Sequence, residues 1–292
     1  MRRVGPFRLI LIGLALSLIS GCSTDNIEKS GELKTELSNS SFVSDYNDYL
    51  QNTLASKSFT ENISVYYDFT DTDLPNYQLH TDVEIKAVKD KAVSSVTRQH
   101  HEDENTESNL VVTRINDGEK TYSNYHEDIN DVSDTPAQDK KVKFTESLNE
   151  AYDAALPYSS LYDIKSATFD TVEFIPASVG LTEKSGTYTL VYNSDYFANL
   201  IKEDVKTFLA NTINNGEVSI VSANAKVIVE NNKLQSITIF SDGVYSEGDR
   251  SYNFLISMSR SYSDLDKTHA LSISSAEEPL YKEVDQTQSA AE

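Results

Sequence analysis

The chain has no tryptophan at all and a single cysteine, Cys22, among 292 residues. One thiol makes no intramolecular disulfide, so the folded part must hold by packing alone. Positive charge is also scarce: 25 Lys and Arg stand against 46 Asp and Glu, a formal net charge of -21. A surface this acidic is repelled by phosphate backbones and by anionic lipid head groups, which argues against nucleic acid as a partner. Apolar residues make up 38% of the chain, below the usual share for a globular protein. That points to a sheet with one wet face rather than a thick core. No apolar run reaches the roughly 20 residues a membrane-spanning helix needs.

The signatures of catalysis are missing as well. Neither Gly-x-Ser-x-Gly nor Ser-x-x-Lys occurs, and no pattern pairs a serine with a histidine. Phosphate-cradling glycine loops are absent too. His100-His101-Glu102-Asp103-Glu104 and His126-Glu127-Asp128 carry ligand-type side chains without ligand spacing. Neighbouring residues on a strand point to opposite faces, so His100 and His101 cannot share an ion there. Asp128-Ile129-Asn130 runs on into Val132 with no glycine and fails the calcium-loop pattern. Carboxylate pairs are too abundant in this chain to signal glycoside cleavage. The expectation is a non-enzyme with no cofactor and no metal.

What is present begins at the N-terminus. Arg2, Arg3 and Arg8 lead, Leu9 to Ile19 is apolar, and Ile19-Ser20-Gly21-Cys22 follows. A basic lead, a short apolar run and small residues read as a secretory signal. The ending resembles the bacterial lipobox, which implies that Cys22 is lipidated and becomes the first residue of the mature chain. Without the three leader arginines the mature chain carries a charge of about -24. Attachment of so acidic a molecule to a membrane then rests on acyl chains, and stable anchoring takes more than one. The implied location is the bacterial cell envelope, on the outer side of the cytoplasmic membrane.

The spacing predicts 1–21 as a signal peptide, 22–40 as a flexible tether, 41–274 as one α+β domain and 275–292 as a disordered acidic tail. Within the domain, Phe42, Tyr46, Tyr49, Leu50 and Leu54 recur at helical steps. From Phe59 the period becomes two, over 63–69 and 79–87, with weaker strands at 92–99 and 108–115. Asn116-Asp117-Gly118 is a hairpin turn into 119–125, whereas His126 to Lys143 reads as a long loop. A short helix falls within 144–156, stopped by Pro157, and strands at 168–175 and 186–193 come next. Ser194 then caps a helix with a continuous stripe of Phe197, Leu200, Ile201, Val205, Phe208 and Leu209. Alternating runs at 217–230, 233–246 and 252–258 end the domain as a ribbon, with Asn231-Asn232 as one turn.

The alternating runs at 63–69, 79–87, 221–229 and 252–258, with the helix at 195–210, are similar to the lipoprotein-carrier (LolA- and LppX-like) fold. That resemblance implies a curved antiparallel sheet, a half-barrel, with helices packed in its concave side. It also implies a cleft for a hydrophobic ligand, walled by Phe197, Leu200, Ile201, Val205, Phe208 and Leu209 facing Val227, Val229, Phe254 and Ile256. The alternative is a surface protein that docks a protein or cell-wall partner through its acidic face. Oligomeric state is not legible in the sequence.

Overall fold

The computed structural model describes residues 34–70, 77–102, 106–131, 137–157, 164–177, 184–209, 216–248 and 250–284. Strand β1 (Thr35–Glu36), helix α1 (Asn39–Leu54) and strand β2 (Ser58–Thr70) come first. A meander follows: β3 (Tyr77–Val88), β4 (Ala92–Glu102), β5 (Thr106–Asn116), β6 (Lys120–Asp131) and β7 (Gln138–Thr145). Helix α2 (Leu148–Asp153), β8 (Phe169–Pro176), β9 (Gly186–Tyr192) and helix α3 (Ser194–Leu209) lead into the ribbon. That ribbon is β10 (Glu217–Glu230), β11 (Lys233–Glu247) and β12 (Arg250–Ser263), and β13 (Lys282–Glu283) closes the described chain.

Helix boundaries have local causes. Ser38 is extended, with φ -73° and ψ 151°, and its hydroxyl accepts from the Ser41 amide, so α1 starts where an orphan donor finds a partner. Phe42, Tyr46, Tyr49 and Thr53 form its buried face. Ser147 and Glu150 make a reciprocal capping box on α2. At α3 the cap is Asn193, not Ser194: the Asn193 side chain accepts from the Tyr196 amide at 3.1 Å. Asparagine competes equally well for that role, and the residue one step earlier has the geometry. At Asn231 and Asn232, φ values of 52° and 58° make the two-residue turn between β10 and β11, where asparagine tolerates the left-handed region.

The sheet order is β1-β8-β9-β10-β11-β12-β2-β3-β4-β5-β6-β7-β13, antiparallel throughout except for the parallel β7–β13 pair. Among the described residues its two ends do not pair, so this is a curved, unclosed α+β half-barrel. The helices lie against one face, α1 on β8 and β11, α2 on β4, and α3 on β10. Residues directly opposite in an antiparallel pair share a face, so register carries one face across the whole sheet. One such row runs Val172, Leu190, Ala225, Ile239, Met258, Val65, Thr81, Gln99, Leu110, Glu127 and Gln138. It is buried from Val172 through Thr81, half-buried at Gln99, Leu110 and Glu127, and exposed at Gln138. The core therefore sits under β8 to β3 and thins toward β7.

Rings fill that core. Phe42 meets Phe169 edge-on at 5.5 Å and Tyr188 at 5.0 Å, and Phe169 meets Tyr192 at 4.6 Å. Gly243 has a packing reason: a Cβ there would lie 2.4 Å from the Phe254 ring across the β11–β12 pair.

Three expectations are corrected. Residues 126–143 are mostly strand rather than loop, because β6 pairs with β5 on one side and β7 on the other. Backbone pairing holds them, and their polar side chains give no apolar alternation to read. Residues 35–40 are not tether, since Thr35 and Glu36 pair with β8 and α1 begins at Asn39, and 22–33 lie outside the described residues. The expected tail is seated as far as Val284: a 3-10 turn at Glu278–Leu280 precedes β13, which pairs with β7. Charged side chains across the gap, not apolar burial, hold that segment. Cys22 and residues 285–292 lie outside the described residues.

Candidate functional site

The apolar residues expected to wall a cleft are gathered in one place, but as a filled core. Phe197, Ile201, Val227, Val229, Phe254 and Ile256 are all buried in one continuous cluster, and Leu200 is half-buried against it. The Phe197 ring lies 5.0 Å from that of Tyr192. The side chains of Val205, Phe208 and Leu209 lie outside the described ones. Where the wall is described, neighbours occupy the space a ligand would take. A stripe that packs on a sheet and a stripe that lines a pocket have the same sequence pattern.

Sequence reasoning missed a polar cluster inside this face. Glu61 on β2 is fully buried, and its Oε1 accepts from Arg260 Nε on β12, itself nearly buried. Its Oε2 accepts from the Tyr152 hydroxyl on α2 at 2.5 Å, and Arg260 Nη2 donates to the same hydroxyl at 3.3 Å. The guanidinium also sits 5.4 Å above the Tyr262 ring. Burial alone would lower the Arg260 pKa, yet the Glu61 carboxylate beside it holds it well above its ordinary value. Burial also pushes the Tyr152 hydroxyl up, with the Glu61 charge adding to it. The arrangement fastens α2 to the two central strands, with each Glu61 carboxylate oxygen accepting a hydrogen bond. The signal was present in the sequence: Glu61 falls in phase with Phe59, Ile63 and Val65, and Arg260 in phase with Ile256, Met258 and Tyr262.

Beyond α2 the same face is less covered. Thr97, Gln99 and His101 on β4, Leu110 and Val112 on β5, and Tyr125, Glu127 and Ile129 on β6 are half-buried. The Tyr125 hydroxyl donates to Glu127, and burial with that bond pushes it up to about 12. Tyr67, Phe69, Tyr77, Leu79 and His101 line a crevice at the rim. This is the part of the concave face with apolar and polar groups side by side.

The outer face of the sheet carries His80, His100 and His126. His80 lies opposite His100 and Leu79 opposite His101, so the adjacent pair does point to opposite faces. His100 Nδ1 lies 3.0 Å from Asn109 Oδ1, and His80 Nε2 lies 3.2 Å from Asp82. His126 sits between Asp139 at 2.8 Å and Asp128 at 3.3 Å. Among the described residues no group of three such side chains is placed to hold a metal. The hydrogen bond to Asp139, then that to Asp128, raises the His126 pKa from 6.5. Because the folded value lies above the unfolded one, this stabilisation is complete below about pH 6.5 and is lost as pH rises through the folded value. Proton NMR should show His126 titrating above an unperturbed histidine, and Asp139→Asn should bring it down. An unchanged midpoint in that variant would contradict the assignment.

No family model matches the chain, and no curated protein matches it. Among solved structures it is similar to the beta-barrel-like protein of domain of unknown function DUF1849 from Brucella abortus. The identity is 8%, over 75% of this chain and 100% of that one, with a TM-score of 0.26. A likeness at that score carries no argument, so the half-barrel rests on the strand order and register alone.

Proposed function

We propose that this chain is a non-enzymatic binding protein of a bacterial cell envelope, held at the membrane by acyl groups on Cys22. Its ligand is an amphiphile that rests on the concave face of β4, β5 and β6. One observation supports the placement: along a single register row, burial is complete from β8 to β3 and falls away from Gln99 onward. Leu110, Val112 and Ile129 offer apolar surface there, and Gln99, Tyr125 and Glu127 offer hydrogen-bonding groups beside it. Such a mixture suits a chain with a polar end, since unpaired buried polar groups would reject a purely apolar guest.

A fluorescent fatty acid, cis-parinaric acid, tests the reading by titration. Leu110→Arg should weaken its binding by about tenfold or more. Ile228→Arg, on the exposed outer face of β10, should leave it unchanged. Absence of binding by the native chain, or equal binding by Leu110→Arg, would overturn the proposal. Docking of a protein or cell-wall partner through the acidic face is the second reading. It is favoured by the charge of -21 and predicts association that weakens with salt.

A further inference from the structure

Three lysines of this acidic chain stand together near one end of the sheet. Lys141 and Lys143 on β7 and Lys120 on β6 share the outer face, where Tyr122 lies opposite Lys143 and Asn124 opposite Lys141. The segment after β12 crosses this face: the Leu271 amide donates to Ser94 Oγ at 3.0 Å. Farther on, Glu278 pairs with Lys143 at 3.4 Å and Glu283 with Lys120 at 3.1 Å. Between them the Tyr281 ring meets Tyr122 edge-on at 5.5 Å, with Lys141 Nζ 5.9 Å from its centre. Lys282 and Glu283 then add to the β7 edge in parallel, and the Val284 amide donates to the Lys143 carbonyl. We infer that the β6–β7 outer face and the β7 edge form a docking edge for an extended acidic peptide bearing an aromatic residue, and that the chain's own 277–284 segment occupies it in cis.

The occupant is held in a way that permits exchange. Its carboxylates are largely in water, 48% exposed at Glu278 and 65% at Glu283, where ion pairs contribute little each. Among the described residues only Val142 and Lys143 of the eight in β7 pair with it, and parallel pairing is the weaker kind. Beside Glu278 an open pocket of about 240 Å³ lies between Leu271 and Ile273 on one side and Ile115 and Tyr122 on the other, so the stretch leading into the occupant is not tightly fitted to the sheet. An edge strand with free backbone groups takes further strands readily, and lysines choose which ones by charge. An acidic partner segment fits, because the resident one binds through two carboxylates flanking a tyrosine.

The test uses the full chain with Glu278→Ala, Tyr281→Ala and Glu283→Ala, which weakens the resident segment without touching β1 to β12. Fluorescence anisotropy then follows a labelled peptide of residues 274–284. The altered chain should bind the peptide about tenfold tighter or more than the unaltered chain, whose edge is occupied at high effective concentration. Binding should weaken as salt rises. Adding Lys120→Glu and Lys143→Glu should abolish it, and a peptide carrying Glu278→Lys and Glu283→Lys should restore it. Equal peptide binding by the altered and unaltered chains, or no restoration in a chain whose circular dichroism is unchanged, would overturn the inference.

Discussion

Glu61→Ala should lower the unfolding free energy by about 3–5 kcal/mol. The substitution takes from Arg260 the Glu61 carboxylate to which its Nε donates, while its guanidinium stays inside the half-barrel against the Tyr262 ring. It also frees the Tyr152 hydroxyl that holds α2 to β2. Arg260→Ala should cost a similar amount by stranding the opposite charge. The double change Glu61→Leu with Arg260→Met should cost far less, because both desolvation penalties vanish together. Urea unfolding followed by circular dichroism measures all three. If the single variants lose less than the double variant, the buried pair is not what fastens α2.

Phe197→Ala should cost about 3–5 kcal/mol, as for other large-to-small changes in a filled core. Its ring is fully buried and in contact with Tyr192, and the space it leaves is bounded by residues that cannot all move in. Leu110→Ala, on the half-buried part of the same face, should cost well below that, since the surrounding space already opens toward solvent. The ratio between these two variants therefore reports where the concave face is filled and where it is open. Comparable losses at both positions would contradict the division.

The long alternating runs of β2, β3, β10 and β12 were legible because one face is apolar and buried, and α1 because Phe42, Tyr46 and Tyr49 recur at helical steps. The first half of β6 was legible from its hairpin turn, but the half from His126 to Asp131 was not, since it is flanked by pairing partners and needs no apolar face of its own. Segment 277–284 escaped for a related reason: its partners are Lys120, Lys141 and Lys143, distant in sequence, and its composition is that of a solvated tail. Phe197, Leu200, Ile201, Val227, Val229, Phe254 and Ile256 do lie in one cluster. Whether a cluster is hollow depends on what fills it from other strands, which no local pattern records. Glu61 and Arg260 stood in phase with apolar neighbours, and a charged residue at such a position was the one overlooked sign of a buried pair.

The most direct test of the account is to map a spin-labelled stearate on the protein by paramagnetic broadening of methyl signals. The account predicts that Leu110, Val112 and Ile129 broaden while Ile201, Val227 and Val229 stay sharp. Broadening centred on Ile201, Val227 and Val229 would place the guest between α3 and the sheet and contradict it.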